Sequence, residues 1–148
     1  MQNRYANKNI VVVGAGKSGR ALCRFFASRS AHIILSDMRT REQIEEIDSL
    51  DGLPVNLDLG GHDIELFRSA DLVVLSPGVP DTITPVQAAK ESGVPVVGEI
   101  EIAVRELEAP MVGITGTNGK STVTALAGEI FKAAGLQTYV GGNIGEPL

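Results

Sequence analysis

The chain has 148 residues, enough for one full core or for one modest domain plus part of another. A net charge of −5 with no basic stripe excludes a nucleic-acid backbone as partner, and the longest apolar runs are too short to span a bilayer. The single cysteine, Cys23, excludes an internal disulfide and, with no charged-then-apolar leader, sets the expectation of a cytoplasmic protein.

In chain order, short apolar runs alternate with helix-like segments, which predicts an α/β fold with a Rossmann-like parallel sheet and crossover helices on both faces. A strand from Asn9 to Val13 runs into Gly14-Ala15-Gly16-Lys17-Ser18-Gly19 and then a helix reaching Ser30. A second strand, His32 to Ser36, ends at Asp37. Helix Arg41 to Leu50, strand Pro54 to Leu59, helix Asp63 to Ser69 and strand Asp71 to Ser76 follow. The acidic cluster Glu42, Glu45, Glu46, Asp48 and Asp51 reads as the solvated face of the first of these helices. Thr84-Pro85 opens another helix that Gly93 stops, and Val94 to Gly98 completes five strands of one sheet.

The segment Glu99 to Glu108 is a charged linking helix, so a boundary is expected after residue 98. A fresh unit then begins with strand Pro110 to Thr115, the loop Gly116 to Ser121, and a helix whose Val123, Leu126, Ala127, Ile130, Phe131 and Ala134 form one apolar stripe. Strand Leu136 to Val140 and the turn Gly141-Gly142-Asn143-Ile144-Gly145 come last. Residues 1–98 are thus expected to form one domain, and 99–148 the incomplete start of another.

The first glycine loop matches G-x-G-x-x-G between a strand and a helix, with Asp37 about twenty residues on, the fingerprint of a dinucleotide site. The same physics suits other nucleotide diphosphates, so an NAD(P)-binding oxidoreductase or regulatory domain stands beside other nucleotide readings. Lys17 and Ser18 can reach an anion from within the loop, and Arg39 can serve a second phosphate or a base edge. Gly78, in the stiff turn Ser76-Pro77-Gly78-Val79-Pro80, can bring its amide to a diphosphate.

The second loop lacks the first glycine of the general phosphate-loop pattern, where Ile114 stands, but keeps G-x-x-G-K-S. A polyphosphate fits it: Lys120 would reach the outer phosphates, Ser121 would ligate Mg²⁺, and amides from Thr117 to Val123 would line the anion at a helix N-terminus. Two nucleotide loops in one short chain weaken the oxidoreductase reading.

The run Ile114-Thr115-Gly116-Thr117-Asn118-Gly119-Lys120-Ser121-Thr122, followed by Gly141-Gly142-Asn143-Ile144-Gly145, resembles the Mur ligases of peptidoglycan synthesis. With the first glycine loop, the Asp-x-Arg at Asp37 to Arg39 and the Ser-Pro-Gly turn, the likeness is to their D-glutamate-adding branch. The resemblance implies an ATP- and Mg²⁺-dependent ligase joining D-glutamate to UDP-N-acetylmuramoyl-L-alanine through an acyl phosphate. It reassigns the first loop to UDP, with Lys17 and Ser18 at the diphosphate, Asp37 and Arg39 near uracil, and Gly78 and Asn143 at the diphosphate and adjoining sugar. Met38 departs from the small hydroxyl residue expected there. By the same carry-over Gly116, Thr117, Asn118, Gly119, Lys120, Ser121, Thr122 and Val123 hold ATP, with Lys120 catalytic and Ser121 the metal ligand. Only the N-terminal third or so of such an enzyme is represented, without its C-terminal domains, so this piece alone is not expected to ligate. Cys23, His32 and His62 carry no catalytic or ligand pattern.

Overall fold

The computed structural model describes residues 3–141. Its contacts divide the chain into two compact units, one ending at Ile102 and the other beginning at Ala103.

The first unit is a five-stranded sheet of β1 (Asn9–Val13), β2 (His32–Asp37), β3 (Val55–Leu59), β4 (Leu72–Leu75) and β5 (Val96–Gly98), in the order β3-β2-β1-β4-β5 and parallel throughout. The chain winds outward from β1 to β3 on one side, then returns to place β4 on the other. The crossovers carry α1 (Lys17–Ala27), α2 (Ile64–Arg68) and α3 (Thr84–Glu91), and α4 (Glu99–Glu106) follows β5 directly.

Side chains alternate between the faces of a strand, so β1 feeds both layers of core. Ile10 and Val12 pack with Leu22, Cys23 and Phe26 of α1, Ile33, Leu35 and Ile102. Val11 and Val13 pack with Phe67 of α2 and Val86 and Ala89 of α3. Each fully buried Val, Leu, Ile or Phe among these contributes about 1.5–3 kcal/mol. That double burial explains why β1 and β4 read as continuous apolar runs. Burial also pushes the Cys23 thiol up to about 12, against a weaker downward pull from Arg24. Cys23 is thus an inert core side chain.

The expected helix from Arg41 to Leu50 is instead two 3₁₀ turns, Arg41–Gln43 and Ile47–Leu50. Ile44, Ile47 and Leu50 are buried, and their spacing of three suits 3₁₀ geometry. Between the turns Glu46 is left-handed (φ 56°), where the Arg20 guanidinium binds the Glu45 carbonyl at 3.0 Å and the Glu46 carboxylate at 2.6 Å. Tertiary hydrogen bonds override the helical preference. The acidic residues are exposed as expected, but Asp48 and Asp51 also pair with Arg41, at 2.7 and 2.9 Å.

In the second unit the described regular structure is α5 (Lys120–Ala133) and the last residues of α4. The strands expected over 110–115 and 136–140 are not formed. A strand exists by pairing, and among the described residues neither segment has a ladder partner. The α5 stripe expected to be buried is largely open: Val123, Leu126 and Ile130 are each more than half exposed, and only Gly128, against which Val140 packs, is buried. An apolar stripe is covered only when a sheet or helix lies against it, and the described residues of the second unit form no sheet to do so.

Candidate nucleotide site

Where the winding reverses, between β1 and β4, the loops leaving the carboxyl ends of the strands separate and open a crevice, the usual ligand position in an open α/β sheet. A cleft of about 340 Å³ lies there, lined by Gly14, Gly16, Lys17 and Ser18 after β1, Asp37 at the end of β2 and Arg39 just beyond it, and Ser76 to Val79 after β4. The structure thus gathers Lys17, Ser18, Asp37, Arg39 and Gly78 from three separated segments. Asn143 lies outside the described residues.

The glycine loop is held from several directions. Gly14 N–H donates to the Ser36 carbonyl at 2.8 Å, and the Ser76 hydroxyl donates to the Gly14 carbonyl at 2.9 Å. Ala15 N–H donates to Asp37 Oδ2 at 2.7 Å, while the Ala15 carbonyl accepts from Arg20 at 3.0 Å. Gly19 brings α1 against the loop so closely that a Cβ there would stand 1.8 Å from the Gly14 carbonyl oxygen. Around Gly16, by contrast, a Cβ would meet nothing within 4 Å, so that backbone faces open cleft.

Asp37 is almost fully buried and makes four hydrogen bonds. Oδ1 accepts from the Arg39 amide and Nε, both at 2.9 Å; Oδ2 accepts from Ala15 N–H and from Arg39 Nη2 at 2.7 Å. Burial works against its charge, but the Arg39 side chain and the two backbone amides outweigh burial and hold the carboxyl at about 2. A carboxylate has about four acceptor sites, and all are filled by the protein itself. Arg39, about half exposed, turns its remaining surface to the cleft mouth.

In the second loop Gly119 caps α5 in the left-handed conformation (φ 77°), which glycine adopts at little cost. The Lys120 ammonium folds back onto the carbonyls of Gly116 and Thr117. Val123 N–H donates to the Gly119 carbonyl at 3.0 Å, so this amide already belongs to the helix ladder and the unbonded amides are those ahead of it. Thr117, Asn118, Ser121 and Thr122 are exposed.

Sequence reasoning missed Arg20 and the contact among Ser36, Asp58 and His62. Arg20 had a signal: it falls three residues before Cys23, on the buried side of α1, where a charge needs a partner. The His62 contact had none, since it joins residues 26 apart through the sheet register.

A family model described as the Mur ligase MurD-like N-terminal domain matches residues 8–98. The chain belongs to this family. Among its relatives, a UDP-N-acetylmuramoylalanine–D-glutamate ligase of Syntrophotalea carbinolica is 54% identical over 144 residues, covering 97% of this chain and 32% of that protein. The enzyme of the same description from Geotalea daltonii is 51% identical, covering 95% of this chain and 31% of its own length. The MurD-like chain therefore spans about a third of the length of the curated relatives it matches. Among solved structures, a pseudomurein peptide ligase type C from Methanothermus fervidus superposes with a TM-score of 0.58 at 31% identity, over 88% of this chain and 27% of that one. The cleft residues Lys17, Ser18, Asp37, Arg39 and Gly78 of this MurD-like domain all fall within the matched segment. Among the described residues no helix is long and apolar enough to cross a membrane.

Proposed function

We propose that the cleft binds the UDP portion of UDP-N-acetylmuramoyl-L-alanine, and that the whole protein adds D-glutamate to this substrate. The observation that carries the reading is Asp37. A dinucleotide site needs a carboxylate with acceptor capacity left for a ribose diol, and here all four positions are occupied by Ala15 and Arg39. What else lines the cleft is donors: the amides around Gly16, the Ser18 side chain, and Gly78 across the crevice, with Lys17 adding positive charge at the same wall. Donors converging on open space at the start of an 11-residue helix suit a diphosphate. Arg39, tied to Asp37 but half exposed, suits the edge of a base such as uracil.

For the second unit we propose a phosphate loop for ATP with Mg²⁺, the start of an ATP-binding domain. Its residues fit that group: a glycine-capped helix of 14 residues presents its first amides, Ser121 offers an exposed hydroxyl for the metal, and Lys120 supplies charge. Bound ATP would supply the phosphoryl group that turns a carboxylate into an acyl phosphate, from which the D-glutamate amine displaces phosphate. Lys120, now satisfied by its own loop carbonyls, would swing to the outer phosphates and offset their charge.

Calorimetric titration of the chain with UDP-N-acetylmuramoyl-L-alanine, UDP and NADH tests the first assignment. Binding of the first two and none of the third is expected; the reverse order overturns it.

A further inference from the structure

We propose that His62 is a positioning residue for the nucleotide cleft, acting through Ser36 on the turn that carries Asp37 and Arg39. The Ser36 hydroxyl lies 2.6 Å from Asp58 Oδ2 and 2.6 Å from His62 Nδ1. A hydroxyl has one proton, and the Asp58 carboxylate accepts only. Ser36 therefore donates to Asp58, and His62 Nδ1–H donates to Ser36. The neutral ring then carries its proton on Nδ1 and leaves Nε2 bare.

These are the residue types of a hydrolase triad, but Ser36 has no exposed surface, so its oxygen cannot meet a substrate. Its place in the fold assigns it another task. Ser36 and Asp58 are register partners at the carboxyl ends of β2 and β3, and the Ser36 carbonyl accepts the Gly14 amide of the glycine loop. The next residue is Asp37. Two residues before His62, Gly60 N–H donates to the carbonyls of Asp37 at 3.1 Å and Arg39 at 2.9 Å, and Asp63 N–H donates to Asp58 Oδ2 at 3.2 Å. The segment 60–63 thus clamps the Asp37 to Arg39 turn through its backbone, and His62 pins that clamp to the sheet. The ring also packs edge-to-face on Phe67, at 5.7 Å. Hydrogen bonding and ring packing are separable contributions.

The effect on ligand rests on the cleft being the UDP site, but the tautomer does not. In the wild-type chain, ¹⁵N NMR of the His62 ring above neutral pH is expected to show a protonated Nδ1 and a bare Nε2; the opposite tautomer overturns the inference without reference to any ligand. For binding, UDP is titrated into the full chain and two variants. His62→Asn keeps a donor near the Nδ1 position and loses the ring, whereas His62→Phe keeps the ring and loses the donor. Asparagine is expected to hold UDP within about threefold of wild type and phenylalanine to weaken it about tenfold, a change of about 1.4 kcal/mol. Phenylalanine binding as wild type, with asparagine weakened, would make His62 a packing residue only and end the proposal. A wild-type chain that takes no UDP refutes the cleft assignment and the ligand effect together, while the tautomer still reports on the clamp.

Discussion

The backbone amide of Ala15 donates to Oδ2 of Asp37 across 22 residues of sequence, at 2.7 Å. This bond joins the ends of β1 and β2 and makes Asp37 a part of the glycine loop. Together with the Arg39 fork it turns a residue that reads as a ribose ligand into an internal brace.

Replacing Asp37 by asparagine therefore costs stability first. At pH 7 a loss of about 2 kcal/mol is expected in urea unfolding, the scale of losing charge-assisted bonds at a buried site. The pH dependence has a definite sign. The folded carboxyl, near 2, lies below its ordinary 3.8, so its contribution is complete above about pH 4 and is lost as pH falls toward 2. The stability gap between wild type and Asp37→Asn should narrow over that window; a gap constant from pH 6 to pH 2 would contradict the ion-pair account.

Two glycines of one loop should fail in opposite ways. Gly19→Ala places a methyl 1.8 Å from the Gly14 carbonyl oxygen, a backbone atom that cannot turn aside, and should cost about 3 kcal/mol or more. Gly16→Ala meets no protein atom within 4 Å and Gly16 has φ −70°, so its melting temperature should stay close to wild type. The added methyl projects where a diphosphate would approach, and UDP affinity should drop about tenfold or more. Melting and titration of both variants separate the two outcomes.

Arg20→Met keeps the bulk of the side chain but abandons the Ala15 and Glu45 carbonyls. Leaving the buried Ala15 oxygen without this donor should destabilise by about 2 kcal/mol. Glu46→Gln, at a side chain 74% exposed, should cost under about 1 kcal/mol although it removes a 2.6 Å ion pair. Comparable losses for the two variants in chemical denaturation would mean the charge pair, rather than the loop carbonyl, is what Arg20 serves.

Lys120→Ala should leave the stability of the chain within about 0.5 kcal/mol and its UDP titration unchanged, because among the described residues the ammonium bonds the carbonyls of its own loop. Under the proposed function, the same change in the whole protein should slow ATP-dependent ligation at least about a hundredfold. Ligation at the wild-type rate in that variant would remove Lys120 from the proposed mechanism.

Local sequence determined the five sheet strands, their parallel pairing and both glycine loops. Apolar runs of four to six residues bounded by glycine, proline or charge have few other uses when helices alternate with them. It also placed Lys17, Ser18, Asp37, Arg39 and Gly78 along one edge of the sheet, where the structure opens a cleft, because the carboxyl ends of neighbouring parallel strands must share an edge. Only the tertiary structure decided what Asp37 does there. Its oxygens are claimed by Ala15 and Arg39, and a motif states residue types without counting which acceptors remain. The same limit applies to Arg41 to Leu50, where Arg20 breaks a helix that composition favours, and to Ser36 and His62, which meet only through the register of β2 on β3. For α5 and the segment 110–115, periodicity marked an apolar stripe and a strand, but burial and ladder pairing belong to the neighbours against which such elements pack, and no neighbour covers them among the described residues.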